Sequence, residues 1–178
     1  RHDYGITPPR ETYMDLIKNA GYEVIAVGKI RDIFDGKGIT EHLPAPPDDT
    51  AKVDAILDAW GRVESGLIFA NLVDFDARYG HRRDPQGMAQ NLRRFDDRVP
   101  ELLEASGPDD LFVITADHGN DPTFRGTDHT RERVPLLAVG EGAPRNLGVR
   151  RGFSNLGATV ADWLGVDGEG LPGEDFWR

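Results

Sequence analysis

The stretch GLIFANLVDFD, residues 66–76, indicates the fold most directly. Gly66 to Val73 is almost continuously apolar, which predicts a buried strand, and this strand runs into the acidic triplet Asp74-Phe75-Asp76. Other short apolar runs predict further strands at residues 22–28, 111–115 and 135–139. Helical patterns lie before, between and after these strands, at residues 10–19, 49–63, 87–105 and 154–164. Continuous apolar strands alternating with helices predict an α/β fold, a mostly parallel sheet with helices on both faces.

Details of these helices give further expectations. Pro100 predicts a kink in the helix at residues 87–105, because proline lacks the amide that a helix interior uses. Ser154 predicts the N-cap of the last helix, and Gly165 predicts its end. The inward face of the helix at residues 87–105 is predicted to carry the apolar side chains Met88, Leu92, Phe95, Val99 and Leu102.

The composition fits one globular domain, or most of one, and argues against several classes of function. The chain has 178 residues, 38% of them hydrophobic, and a formal net charge of -10. An acidic chain without clustered Lys and Arg is not expected to bind nucleic acid. No apolar run is long enough to span a bilayer, so no membrane interaction is expected. Cysteine is absent, which is compatible with the cytoplasm.

Acidic residues and histidines follow two of the predicted strands. Asp76 and His81 come after the strand at residues 66–73, and Asp117-His118 comes after the strand at residues 111–115. His129 lies in a third segment, directly before the next strand. Ligand sites in parallel sheets lie beyond the carboxyl ends of the strands, so these side chains are expected to meet at one sheet edge.

Asp and His together suit Mn, Zn or Fe(II) rather than a calcium cage. Two cations about 3.5–4 Å apart would clamp the attacking and leaving oxygens of a phosphoryl transfer. Where the backbone turns at the end of a strand, the neighbours Asp117 and His118 can face two metals or share one. Each segment alone has an ordinary explanation, such as a hydrogen-bonded surface histidine or a turn-capping aspartate. Their joint placement favours a metal site.

The longer motifs around these residues closely resemble phosphopentomutases, which belong to the alkaline phosphatase superfamily. The resemblance extends from the start of the chain to about Ala161. The motifs that carry it are NLVDFD at 71–76, YGHRRD at 79–84, TADHGNDPT at 115–123, GTDHTRE at 126–132, and VGKI at 27–30 with DIF at 32–34.

The resemblance implies a binuclear site, usually of Mn²⁺, although such ligands accept other divalent metals. The family's reaction interconverts ribose 1-phosphate and ribose 5-phosphate, or the deoxyribose equivalents, so a sugar phosphate is the expected substrate. The resemblance also implies a role in nucleoside catabolism and a location in the cytoplasm. Carried onto matching positions, Asp76, His81 and His129 would hold one metal, and Asp117 and His118 the other. Each complete site would hold two ions.

Four further residues are expected near this site. Asp74 precedes Asp76 by two residues and would face the same side of a strand, as a support for the ligands or a rival to Asp76. Lys29, Arg82 and Arg83 are candidates for orienting ligands or shielding phosphate charge. Salt bridges to neighbouring carboxylates are the alternative for these three basic residues.

The motifs match the C-terminal part of the family's core domain, and residues 1–178 are expected to form that part. Three features of the family are expected to lie outside this chain. They are the N-terminal strand, the aspartate and nucleophilic threonine that the N-terminal stretch supplies, and the cap domain that binds the sugar phosphate. No catalytic residue is therefore predicted here, and the isolated chain is expected to be inactive. The missing N-terminal and cap segments are its expected partner, and an uncovered sheet edge predicts self-association.

Two alternatives remain open from the sequence. The chain could be a catalytically silent metal-binding fragment. The parent enzyme could also be another mutase or phosphatase of the same superfamily, such as a relative of cofactor-independent phosphoglycerate mutase. Residues 71–84 favour phosphopentomutase over that second alternative.

Overall fold

The computed structural model describes residues 5–44 and 46–178. The chain divides into two compact units. Of the described residues, unit 1 contains those up to residue 44 together with 58–71 and 143–178, and unit 2 contains 46–57 and 72–142. No helix among the described residues has both the length and the apolar composition needed to cross a membrane.

A three-stranded parallel sheet forms the centre of unit 1. Strand β1 (Glu23–Val27) lies between β2 (Glu41–Leu43) and β3 (Gly66–Ala70). The four apolar residues 24–27 of the central strand are fully buried, as expected for a parallel strand covered on both faces. This confirms the α/β class and the parallel sheet that the sequence predicts. The core of the unit consists of Met14, Ile17, Val24, Ala26 and Ile30.

Three helices complete unit 1: α1 (Tyr13–Asn19), α2 (Ile30–Ile33) and α6 (Ser154–Trp163). Helix α1 begins later than predicted because Thr12 and Asp15 cap it reciprocally, each side chain binding the other's backbone amide. The expectation for Ser154 was wrong. Ser154 is the first residue of α6, and the cap position is occupied by Phe153, whose side chain makes no capping hydrogen bond.

Unit 2 contains most of helix α3 (Asp49–Trp60), whose last turn belongs to unit 1. A π-helix (Phe75–Gly80) follows, and then α4 (Pro85–Asp96) and α5 (Val99–Ala105). The predicted helix at residues 87–105 is therefore two helices. Pro100 lies in the first turn of α5, where a missing amide costs nothing, so it begins a new helix instead of kinking a long one.

The inward face predicted for this helical segment was partly wrong. Leu102 is buried with 1% of its surface exposed, but Leu92 is 56% exposed. The buried position in that turn is taken by Asn91, whose amide donates to the Asp49 carboxylate. A polar contact thus sets which side of α4 faces inward.

Strands β4 (Phe112–Thr115) and β5 (Leu136–Val139) form a two-stranded sheet in unit 2. Both strands were predicted, but they pair antiparallel, in a sheet of their own among the described residues. Parallel strands need a crossover, usually through a helix. The described chain between β4 and β5 contains no helix, and it folds back through an isolated antiparallel bridge between Gly119 and Thr130. The expectation that all candidate ligands share the edge of one parallel sheet was therefore wrong.

Candidate metal centre

The π-helix places the first two candidate ligands. Strand β3 ends at Ala70, so Asp76 lies in the π-helix and not on the strand that the sequence predicted. The His81 amide donates to the Asp76 carbonyl at 2.9 Å, a bond that spans five residues. In an α-helix, residues five apart point about 140° away from each other. The wider π-turn brings these two side chains together, with Asp76 Oδ2 and His81 Nε2 3.3 Å apart. Such π-turns occur frequently at functional sites.

His129 completes a group of three potential ligands. Its Nε2 atom lies 3.1 Å from His81 Nε2 and 3.2 Å from Asp76 Oδ1. The three side chains are partly exposed, so an ion could reach them from solvent. Asp76, His81 and His129 also form the one group of three His, Asp or Glu ligands that the described part of the chain brings within metal-holding distance.

These separations fit a metal ion. Nitrogen and oxygen ligands about 2.1 Å from a shared ion, at angles between tetrahedral and octahedral, lie roughly 3.0–3.4 Å apart. His81 Nε2 and His129 Nε2 are 3.1 Å apart, within that range, and they face different oxygens of the Asp76 carboxylate, at 3.3 and 3.2 Å. Two imidazoles and one carboxylate suit Zn, Fe or Mn. The donor set and its spacing therefore agree with a divalent metal.

A backbone contact orients the His81 ring. Its Nδ1 atom lies 2.6 Å from the Thr127 carbonyl oxygen. A carbonyl only accepts hydrogen bonds, so we assign the proton to Nδ1, and in the neutral ring Nε2 then carries a lone pair. That lone pair faces Asp76 and His129. A carbonyl behind a ligating histidine is the usual device that fixes its tautomer in metal sites.

Asp117 and His118 lie beside this group. They follow β4 after one residue, and His118 Nε2 is 3.7 Å from Asp117 Oδ2. The His118 ring stacks on the His129 ring, with centroids 3.7 Å apart and an angle of 18° between the planes. The structure thus brings all five predicted ligands into one region of unit 2. Two protein ligands are fewer than a tightly held metal usually has, and the second metal position stays a prediction.

The remaining predicted residues lie in different settings. Asp74 is buried, and its described partners are the Asp49 amide, at 3.3 Å, and the Arg78 guanidinium, at 3.2 Å. It precedes the π-helix as its cap residue, so it does not share a strand face with Asp76. Lys29 belongs to unit 1, directly before α2, and Arg82 is exposed. Their proposed roles stay predictions.

Arg83 binds backbone carbonyls from several parts of the site. Its guanidinium donates to the carbonyls of Gly80, Asp121, Gly126 and Asp128, and also to the Asn120 side-chain oxygen at 2.9 Å. The residue that the sequence reasoning missed is Asn120, which donates from Nδ2 to Asp76 Oδ1 at 2.6 Å. The available signal was its place in the Asp117-His118-Gly119-Asn120 segment, where an amide can support a carboxylate ligand.

Comparisons with known proteins agree with this picture. A family model described as Metalloenzyme superfamily matches residues 1–168. The phosphopentomutase of Symbiobacterium thermophilum is 52% identical over 180 residues, covering 99% of this chain and 44% of that protein. For the phosphopentomutase of Clostridioides difficile the identity is 49% over 168 residues, covering 93% and 43%. These matches confirm the resemblance found in the motifs, although the chain spans less than half the length of these relatives.

A solved structure shows the same fold. The phosphoglycerate mutase of Leishmania mexicana, determined at low cobalt concentration, aligns with a TM-score of 0.70 and 19% identity, over 90% of this chain and 38% of that one. At this identity the match establishes the alkaline-phosphatase-like fold alone. The family match and the Asp76, His81 and His129 group together indicate a divalent-metal site.

Proposed function

The chain belongs to the Metalloenzyme superfamily, and from this premise we propose that it is the metal-binding part of a phosphopentomutase. The enzyme would interconvert ribose 1-phosphate and ribose 5-phosphate, or their deoxyribose equivalents, at a binuclear Mn²⁺ site. The observation that carries the proposal is the Asp76, His81 and His129 group, in a chain about half identical to the matching parts of two phosphopentomutases. Because the chain spans less than half of those relatives, the activity is proposed for a full enzyme that contains it.

In this proposal Asp76, His81 and His129 hold one metal, and Asp117 and His118 contribute to the second. The bound ions would supply Lewis-acid stabilisation of charge on the phosphoryl oxygens. They would also supply positive charge to a chain whose formal net charge is -10. The stacking of the His118 ring on the His129 ring supports a position of the two proposed sets of ligands side by side. No nucleophile is assigned to this chain, and a cytoplasmic role in nucleoside catabolism is part of the same proposal.

The activity is tested on the full enzyme that contains this chain. With Mn²⁺, we expect conversion of ribose 1-phosphate to ribose 5-phosphate, and loss of this conversion in the His129→Ala variant. The matched control is His42→Ala, since His42 lies in unit 1 and its ring contacts the Gly28 carbonyl. Interconversion of phosphoglycerates, or phosphate release alone, in place of pentose phosphate conversion would contradict the proposal.

Metal binding is tested on the 178-residue chain by calorimetric titration with Mn²⁺. We expect one tightly bound ion, because the first group brings three potential ligands together and the second pair offers only two. His129→Ala should abolish this binding, and His42→Ala should leave it unchanged. Two tightly bound ions would contradict this expectation and show that the second metal, at Asp117 and His118, has enough ligands within this chain. Unchanged affinity in His129→Ala would show that the ligand assignment is wrong.

A further inference from the structure

Asn120 bridges a potential metal ligand and a cation. On one side its amide lies 2.6 Å from Asp76 Oδ1, and on the other it lies 2.9 Å from the Arg83 guanidinium. The two ends of an amide look alike, so its direction has to be deduced from the neighbours. Arg83 can only donate and a carboxylate can only accept. Asn120 must therefore turn its oxygen to Arg83 and its NH₂ group to Asp76.

Arg83 is itself held firmly. Its backbone has a φ of 55°, a left-handed conformation that residues with a side chain seldom adopt. The same guanidinium donates to the carbonyls of Asp121 and Asp128, both at 2.8 Å, and to that of Gly126. The Gly126 and Asp128 carbonyls flank Thr127, whose own carbonyl orients the His81 ring, and they come just before His129. Arg83 thus ties the end of the π-helix to the segments on which the other candidate ligands lie.

The close approach of Asn120 is specified by the chain. A Cβ atom on Gly80 would fall well inside van der Waals contact with the Asn120 side chain, so an alanine at this position would displace it. Gly80 is the last residue of the π-helix that contains Asp76. The π-helix therefore supplies both the carboxylate and the space through which the amide reaches it.

We propose that Asn120 and Arg83 are positioning residues of the metal centre. Arg83 sets the direction of the Asn120 amide, and this amide holds the Asp76 carboxylate in the plane in which it faces His81 and His129. The inference deepens the proposed function, because it rests on the proposed metal centre, but it does not depend on which phosphate ester the full enzyme uses. Partners that hold a ligand in this way typically change metal affinity about 10–100-fold when they are removed.

The test compares two variants with a surface control in the 178-residue chain. Asn120→Leu keeps the approximate size of the side chain and adds no charge, but it removes the donor to Asp76 and the acceptor of Arg83. Arg83→Lys keeps the charge but loses the fork that binds several acceptors at once. Arg93→Lys is the control, since Arg93 is exposed and lies on α4. Mn²⁺ affinity is measured by calorimetry, the ligand geometry by the visible absorption of bound Co²⁺, and the folding of each metal-free variant by circular dichroism.

We expect Asn120→Leu and Arg83→Lys to bind Mn²⁺ about 10–100-fold more weakly, with an altered Co²⁺ spectrum, while Arg93→Lys matches the wild type. If the wild type binds Mn²⁺ and folded Asn120→Leu binds it within about twofold, the positioning role is refuted and the metal centre stands. If the wild type binds no Mn²⁺, the proposed metal centre fails and this inference fails with it. Should Arg83→Lys not fold, the similarly sized Asn120→Leu still decides the question.

Discussion

Replacing Asp49 with asparagine should destabilise unit 2 strongly. Asp49, the first residue of α3, is 5% exposed and accepts three hydrogen bonds. The donors are Lys52 Nζ at 2.9 Å, Asn91 Nδ2 at 3.0 Å and the Asp74 amide at 3.2 Å. Lys52 is only 3% exposed, so its ammonium group has little access to water. The carboxylate therefore neutralises a buried cation and joins α3, α4 and the residue before the π-helix.

The size of the expected loss in unfolding free energy follows from the Lys52 charge, which would be left without a partner. Removing one partner of a buried ion pair costs about 3–5 kcal/mol, because the other charge stays in a poorly hydrated place. In asparagine an NH₂ group replaces one carboxylate oxygen and would face one of the three donors, which then loses its acceptor. A buried donor without an acceptor costs about 1–3 kcal/mol. The two effects overlap, since both concern the same contacts. We therefore expect a total loss of about 3–5 kcal/mol, a large share of the 5–15 kcal/mol of a typical domain.

The free energy of unfolding is measured by urea titration with circular dichroism. Asp54→Asn is the matched control on the same helix, because Asp54 pairs with Arg98 at 2.7 Å but its side chain is 65% exposed. An exposed pair of this kind contributes less than about 1 kcal/mol. Adding Lys52→Met to Asp49→Asn should recover part of the loss by removing the stranded charge. If Asp49→Asn costs no more than Asp54→Asn, the reasoning is refuted.

Three other changes test separate parts of the molecule. Leu102→Ala should lower the free energy of unfolding by about 2–5 kcal/mol, because Leu102 is fully buried; a loss below about 1 kcal/mol in urea titration would contradict its burial. The Arg62 hydrogen bond lowers the pKa of Glu41, which stabilises the fold above the ordinary glutamate pKa, and this stabilisation is lost as pH falls through the lowered value. Arg62→Gln should thus lower the urea midpoint near neutral pH and hardly at all near about pH 2, and a pH-independent difference would refute this. Gly80→Ala should weaken Mn²⁺ binding about 10-fold by displacing Asn120, as measured by calorimetry, and unchanged affinity would show that the side chain has room to move.

The parallel sheet was predictable because its signal is local. Residues 24–27 and 67–70 are continuously apolar, and a strand buried on both faces needs that composition wherever it lies. The antiparallel pairing of β4 with β5 was not predictable from the sequence. Their direction depends on the path of the intervening loop, and this path is set by contacts such as the Gly119–Thr130 bridge, which no periodicity reveals.

The candidate ligands were predictable from residue types and motif spacing, and the structure brings Asp76, His81 and His129 together. The contact between Asn120 and the Asp76 carboxylate was not predictable. Asn120 and Asp76 are 44 residues apart in sequence, and an asparagine in a loop has many common uses. The π-helix was also missed, since residues 75–80 show no helical pattern and a π-turn is held by its surroundings more than by its own propensity.

The π-helix holds five residue steps between two candidate ligands where an α-helix would use four to put two side chains on one face. Removing one residue from the interval between Asp76 and His81 would allow the segment to relax into an ordinary α-helix, in which the histidine still lies beside the aspartate. Inserting one residue would place the two side chains six residues apart, about 120° from each other in an α-helix. Substitutions at exposed Ala77 leave the interval intact. We therefore expect this segment to tolerate changes of side chain, and the loss of one residue, far better than the insertion of one.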